Sequence, residues 1–269
     1  ENCDQNCIMC SQPPKDKDYL FLEIYFEAIK LVKKNAVIGI TGGEPTLFKS
    51  KVFEFIINVI KERKDIKFHI LTNAQHFDKS DIDVLFKLSD NILWGVPLYS
   101  SKQETHDKIV GKEGAFKQLL KGLNVLVQSA SQVELRTVLM KQNINELPRL
   151  AEFVASNLSW IHVWAIMQLE YIGYAKMNWK HIFFDNSNDF SNIDLALNII
   201  SSKKINASLY NFPLCTVPGP RRVFSVPSIS DWKKKFISEC DNCSRQDICS
   251  GFFSWYKEDI GYKNINKII

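Results

Sequence analysis

Short apolar runs alternate with longer amphipathic ones along most of this chain, and that alternation limits the fold more than any other feature. Extended segments at Ala36–Thr41, Lys67–Leu71, Ile92–Leu98, Val133–Leu139 and Trp160–Met167 are separated by stretches of helical spacing. Helices are predicted over Tyr19–Lys34, Ser50–Arg63, Lys79–Leu88, Ala115–Gln128, Glu146–Asn157 and Asp194–Lys203. In the second of these, Val52, Phe55, Ile56, Val59 and Ile60 recur on one helical face. Strands alternating with helices build βαβ units around a parallel sheet, so the fold class is α/β. A further extended segment, Ala207–Asn211, follows the last of these helices. In such sheets ligands bind beyond the carboxyl ends of the strands.

Two motifs sit where that rule would put a ligand. Ahead of the first predicted strand, Cys3, Cys7 and Cys10 form a C-x3-C-x2-C loop. Three thiolates suit either zinc or an iron–sulfur cluster. Zinc normally closes its tetrahedron with a fourth Cys or His, and the nearest downstream histidine is His69. The first strand then runs directly into Gly42-Gly43-Glu44-Pro45. Two glycines let backbone approach a ligand closely, Glu44 offers negative charge to an ammonium, and Pro45 stiffens the turn.

The cysteine loop and the GGEP turn, in this order and at this distance, resemble the signature of the radical SAM superfamily. That resemblance implies a 4Fe–4S cluster on Cys3, Cys7 and Cys10 with one open iron, filled by S-adenosylmethionine (SAM). It implies that Gly42, Gly43 and Glu44 receive the methionyl amino group of SAM. Met9 stands where most families carry an aromatic residue beside the third cysteine, and can cover adenine as a polarizable apolar group. Ser100, just past a strand end, is a candidate for SAM contact. Arg136 is either a partner for the SAM carboxylate or ribose or a barrel-wall residue in a salt bridge. The expected architecture is a partial (β/α)6 barrel over residues 1–204. Its first strand is expected upstream of Glu1, since the chain opens without Met and the cysteine loop arrives at once.

Four further cysteines, Cys215, Cys240, Cys243 and Cys249, follow the barrel, in a region read as residues 205–269. Their number suits a fully ligated second 4Fe–4S cluster; the alternatives are a zinc knuckle on the same four thiolates and a cluster with Cys215 free, whose open iron binds substrate. The arrangement resembles the SPASM or twitch auxiliary-cluster extensions. Phe253 stands where a full SPASM run would place another cysteine, which argues for one auxiliary cluster. The segments Ser228–Lys233, Cys240–Cys243 and Cys249–Phe253, with Cys7–Pro14 at the start, resemble the His-Xaa-Ser system radical SAM maturases of the HxsC type. This resemblance implies a ribosomally made peptide or protein substrate bearing His-Xaa-Ser repeats. It also implies an electron donor such as flavodoxin or ferredoxin and a second radical SAM maturase as a further partner. A small-molecule radical SAM enzyme and a non-catalytic iron–sulfur or zinc partner of another maturase are the competing readings.

Composition adds exclusions. A net charge of +4 with no long Lys/Arg run gives no case for nucleic acid. Lys33-Lys34 and Lys233-Lys234-Lys235 read as solvated helix faces. No stretch approaches the ~20 apolar residues of a membrane span. Seven cysteines in clusters fit cytosolic metal ligands better than disulfides, so a cytoplasmic location is expected. His69, His106, His162 and His181 have no metal-ligand spacing and read as structural side chains. Trp160, Trp164 and Trp179 read as core or cleft lip. Gln168–Gly173 is a candidate lining for the substrate mouth, with Glu170 either there or on the surface. No general acid or base is singled out.

Overall fold

The computed structural model describes residues 2–13, 22–265 and 267–268, the side chains of 22–24 excepted. Seven parallel strands form one curled half-barrel sheet, each strand pairing with its neighbours in sequence. They are β1 (Val37–Ile40), β2 (Lys67–Leu71), β3 (Ile92–Pro97), β4 (Gln132–Val138), β5 (Val163–Met167), β6 (Ala207–Tyr210) and β7 (Ser225–Val226). The five strands expected from the alternation are therefore continued by two more. Ala207–Tyr210 pairs with β5 through Trp164↔Ala207 to Met167↔Tyr210, and Ser225–Val226 pairs with β6.

Helices α1 (Leu22–Ile29), α2 (Lys49–Glu62), α3 (Ile82–Leu88), α5 (Ala115–Gln128), α6 (Leu147–Asn157) and α8 (Ser191–Ser202) correspond to the six predicted ones. The start of the first, residues 19–21, lies outside the described residues, as does Pro14. Two helices carried no clear pattern: α4 (Gln103–Val110), closed by Gly111 in the left-handed conformation, and α7 (Gly173–Ile182).

Side-chain alternation along the strands separates two environments. Trp94, Val96, Val133, Leu135, Trp164 and Ile166 are buried in the main core between sheet and helices. Gly95, Pro97, Arg136, Val138 and Met167 face the hollow of the half-barrel instead. Even the polar atoms of the core are used: Trp164 Nε1 donates to Thr137 Oγ1 at 2.9 Å, and Thr137 Oγ1 donates to Leu98 O at 2.6 Å.

The C-terminal region carries one small antiparallel pair, β8 (Lys234–Lys235) with β9 (Phe252–Phe253). An aromatic cluster fastens it to α7. Trp179 stacks on Phe183 with centroids 4.3 Å apart, Phe183 meets Tyr262 edge-on at 5.6 Å, and Phe252 lies 4.7 Å from Tyr256. Neither lysine run lies on an α-helix. Lys33-Lys34 belongs to the turn after α1, while Lys233, Lys234 and Lys235 sit over the rings of Phe253, Phe236 and Tyr256. Among the described residues no helix is long and apolar enough to cross a membrane.

Candidate functional site

The first cysteine loop is held by hydrogen bonds to its backbone from two helices. Asn6 N donates to Val110 O at 2.9 Å and Ile8 N to Ile109 O at 3.0 Å, both at the end of α4. Tyr174 N donates to Cys10 O at 2.9 Å, and Asn178 Nδ2 to Ile8 O at 2.8 Å, both from α7. The two helices without a sequence pattern thus build the seat of the loop. Their approach requires glycine. A Cβ on Gly173, whose φ is +56°, would lie 2.3 Å from Cys10 O, and one on Gly111 would lie 2.6 Å from Asn6 O.

Asp4, inside the loop, adds a side-chain anchor. Its carboxylate takes hydrogen bonds from Lys112 Nζ and from Asn73 Nδ2 at 2.8 Å, with His76 Nε2 3.2 Å away. Burial pushes this carboxyl up, but His76, Lys112 and Asn73 outweigh it and hold it well below the usual carboxylate range.

Cys3, Cys7 and Cys10 line one cavity of about 300 Å3 with Met9, Gly42, Gly43 and Glu44. Burial pushes the Cys3 thiol up to about 11. Burial, then repulsion from Cys10 and Cys3, pushes Cys7 up to about 12. Buried thiols that repel one another are suited to a cationic centre that takes them as thiolates. Among the described residues, no three His, Cys, Asp or Glu side chains draw together as tightly as a single metal ion requires. These three ring a cavity instead, which fits a cluster carried on three thiolates.

Glu44 is buried, and its carboxylate is turned to the protein. Oε1 accepts from Thr46 N at 2.9 Å and from the hydroxyls of Thr46 and Thr72, both at 2.5 Å; Oε2 accepts from Asn73 N at 2.6 Å. Burial raises this carboxyl despite those donors. Glu44 therefore ties the turn after β1 to the turn after β2. Gly42 and Gly43, at φ +96° and +60°, shape the same wall.

Arg136 stands in a salt bridge on the barrel wall with Glu134, two residues earlier on β4, and also faces the cavity. Glu134 also lies 3.4 Å from His69 Nε2 and accepts a hydrogen bond from Tyr210 Oη at 3.4 Å. Burial pushes the Glu134 carboxyl up, but His69 and Arg136 bring it below its ordinary value. Of this cluster Arg136 lines the cavity, while Glu134, His69 and Tyr210 line a separate hollow. Ser100 stands apart: it is fully buried, and its hydroxyl donates to Glu146 Oε2 at 2.5 Å. The neighbouring Tyr99 lines the cavity in its place.

At the opposite wall Gln168, Leu169 and Glu170 line the same cavity. Glu170 lies 3.8 Å from Lys233, and burial raises its carboxyl against the opposing charge of that lysine. His106 is a core side chain, stacked on Tyr99 at 5.7 Å, and burial lowers it to about 4.

The four C-terminal cysteines face a second, small enclosed cavity together. Burial, then the neighbouring Cys249, Cys240 and Cys243, push Cys215 up to about 12. Cys249 Sγ accepts hydrogen bonds from Leu214 N and Gly251 N, each at 3.3 Å. All four thiols thus face one cavity. Thr72 and Asn73 carry one signal in the sequence, their place just past a strand end, where ligands bind; Asp4 and Lys112 carry none.

The family model of the radical SAM superfamily matches residues 1–154. Over 156 residues the chain is 26% identical to the antilisterial bacteriocin subtilosin biosynthesis protein AlbA of Bacillus subtilis, covering 56% of this chain and 34% of that protein. Over 157 residues it is 27% identical to Fe-coproporphyrin III synthase of Methanosarcina barkeri, covering 56% and 38% respectively. The stretch it shares with these curated relatives is therefore little more than a third of their length. Streptococcus suis SuiB bound to S-adenosylmethionine matches with a TM-score of 0.62 at 21% identity, over 77% of this chain and 48% of that one. The structure of anSMEcpe with bound AdoMet and the Kp18Cys peptide matches with a TM-score of 0.60 at 13% identity, over 77% and 60%. The half-barrel fold is common to all of these structures. With the family match spanning more than half of its length and the cysteine loop and GGEP turn facing one cavity, the chain belongs to the radical SAM superfamily.

Proposed function

We propose that this chain reductively cleaves SAM and uses the resulting radical to modify a ribosomally made peptide or protein. The observation that carries this reading is the shared cavity. Cys3, Cys7 and Cys10 face it from one side, and Gly42, Gly43, Glu44 and Arg136 from the others. A 4Fe–4S cluster and SAM, when bound, supply a 5′-deoxyadenosyl radical by one-electron reduction of the sulfonium. The chain's own residues do the rest. The two glycines and the tied-back Glu44 give a rigid wall for the methionyl end. The Arg136 guanidinium offers donors to a carboxylate or ribose, and Met9, buried beside Cys10, offers an apolar face to adenine.

A peptide substrate is supported by the relatives. AlbA is named for bacteriocin biosynthesis, SuiB has been solved with its precursor peptide SuiA, and anSMEcpe with a peptide. The flanking segments Ser228–Lys233 and Cys249–Phe253 support a substrate with His-Xaa-Ser repeats. The region after β6, with four thiols on one cavity and two N–H donors on Cys249, supports a second 4Fe–4S cluster on Cys215, Cys240, Cys243 and Cys249. An electron donor of the flavodoxin or ferredoxin class completes the reading. A small-molecule substrate is the second reading, favoured by the comparable likeness to Fe-coproporphyrin III synthase.

The test is anaerobic reconstitution followed by reduction with SAM present. Formation of 5′-deoxyadenosine that falls to background in Cys7→Ala is expected, and turnover that persists in that variant would overturn the reading. Saturable binding of a peptide with His-Xaa-Ser repeats is expected. SAM cleavage with no affinity for such a peptide would hand the substrate to the small-molecule class.

A further inference from the structure

A buried chain of side chains joins the wall of the first cavity to the second cysteine site. Gln168 follows β5 and lines the cavity; its Nε2 donates to Asn186 Oδ1 at 2.6 Å. Asn186 lies between α7 and α8, and its Nδ2 donates to Thr216 O at 2.7 Å and to Thr216 Oγ1 at 3.0 Å. The Thr216 hydroxyl then donates to Pro213 O at 2.9 Å. Thr216 directly follows Cys215, and on the other side of that cysteine Leu214 N is one of the two donors to Cys249 Sγ. Gln168, Asn186 and Thr216 are 2%, 1% and 4% exposed.

Three polar side chains at this depth are costly unless their hydrogen bonds are made, and here they are made to one another. A fully satisfied buried network fixes one arrangement of the segments it joins. The segment fixed here, residues 213–216, carries one thiol of the second site and one N–H donor to another. Hydrogen bonds to cysteine sulfur and burial are the protein's means of setting a cluster's reduction potential.

We propose that Asn186 is a positioning residue: through Gln168 and Thr216 it fixes the Cys215 thiol and the Leu214 N–H around the second cluster and thereby sets that cluster's potential. The inference rests on the reading of the four C-terminal cysteines as ligands of such a cluster. A slackened Leu214 N–H leaves more electron density on Cys249 and makes the cluster harder to reduce.

The experiment uses the full chain, reconstituted anaerobically, with iron analysis and a redox titration followed by EPR. SAM addition marks which signal belongs to the first cluster. The native chain is expected to hold about eight irons. In Asn186→Ala and Thr216→Val the midpoint of the second cluster is expected to move negative, with the SAM-sensitive signal unchanged. Thr216→Ser, which keeps the hydroxyl, is expected to restore the native midpoint. Where Asn186→Ala fails to fold, Thr216→Val carries the test, because it keeps the Asn186 bond to the Thr216 main chain. Native midpoints in both variants would overturn the inference and leave the second cluster standing. About four irons in the native chain would overturn the two-cluster reading itself, and the inference with it.

Discussion

Asn178 and Trp179 are adjacent on α7, and their side chains reach in different directions to the two cysteine regions. Asn178 Nδ2 donates to Ile8 O, inside the first cysteine loop, at 2.8 Å, and Trp179 Nε1 donates to Ile260 O, beyond the last cysteine, at 2.8 Å. One helix therefore seats the loop and holds the C-terminal region, which couples the stability of the two. Trp179 also stacks on Phe183, so Trp179→Ala removes a buried ring as well as a hydrogen bond. A loss of about 3–5 kcal/mol is expected for such a truncation, against about 1 kcal/mol for Asn178→Ala. Denaturant unfolding of the two variants measures the contrast, and equal losses would refute it.

Gly173 opens α7 against the first cysteine loop with no room for a side chain. At φ +56° an alanine costs about 1–2 kcal/mol in the backbone alone, and its Cβ would also meet Cys10 O at 2.3 Å. Gly173→Ala is expected to lose iron from the first site and with it any SAM-sensitive EPR signal. Gly114 supplies the control, since at φ +75° its Cβ would meet nothing within 4 Å. Gly114→Ala is expected to keep its iron. A fully loaded Gly173→Ala protein would show that the loop can move aside.

Strands β1 to β6 were legible as short, largely apolar runs bounded by turn residues, Lys67–Leu71 to the residue, while the two residues of β7 leave no pattern to read. The helices α4 and α7 were not, since QETHDKIV is mostly polar and GYAKMNWKHI has no clean apolar face. Both matter for their backbone contacts to the cysteine loop, and such contacts leave no periodicity in a sequence. The cysteines and the GGEP turn were legible because their chemistry needs particular residues at close spacing. The anchors around them were not: Asp4 and Lys112 are 108 residues apart, and Gln168 and Asn186 are 18 apart, with nothing local to pair them. Ser100 followed from the rule that strand ends meet ligands. Its neighbour Tyr99 lines the cavity, while the Ser100 hydroxyl is engaged by Glu146.

Glu44 would ordinarily be read as the negative charge offered to the SAM ammonium, yet its two oxygens are committed to donors of the protein itself. Glu44→Gln places an amide NH2 against one of those donors in either orientation. A destabilisation of about 1–3 kcal/mol is expected, because a donor then faces a donor in a buried site. SAM affinity is expected to fall with it, as the turns after β1 and β2 lose their tie. Thr72→Val, which removes one donor on the far side of Glu44, is expected to weaken SAM binding in the same direction by less. The SAM-dependent EPR shift, titrated against SAM concentration, reads both. Native affinity in Glu44→Gln would show that the backbone of Gly42 and Gly43 suffices.

The pairing of Arg136 with Glu134 gives stability a pH dependence that distinguishes it from simple packing. With Arg136 and His69 beside it, Glu134 is held below its ordinary value of 4.5. It therefore contributes stability above that value, which is lost as pH falls through the lower folded value. Arg136→Met strands a buried carboxylate with weaker partners, which costs about 3–5 kcal/mol at neutral pH. Without the guanidinium only His69 opposes burial, and the carboxyl moves up. The variant's deficit is expected to shrink on acidification as Glu134 takes up a proton and its charge no longer needs a partner. Glu134→Gln in the same background is expected to recover part of the loss at neutral pH and to flatten the pH dependence. Unfolding free energies of the single and double variants between neutral and mildly acid pH give the comparison. A deficit in Arg136→Met that stays constant over that range would assign Arg136 a packing role alone.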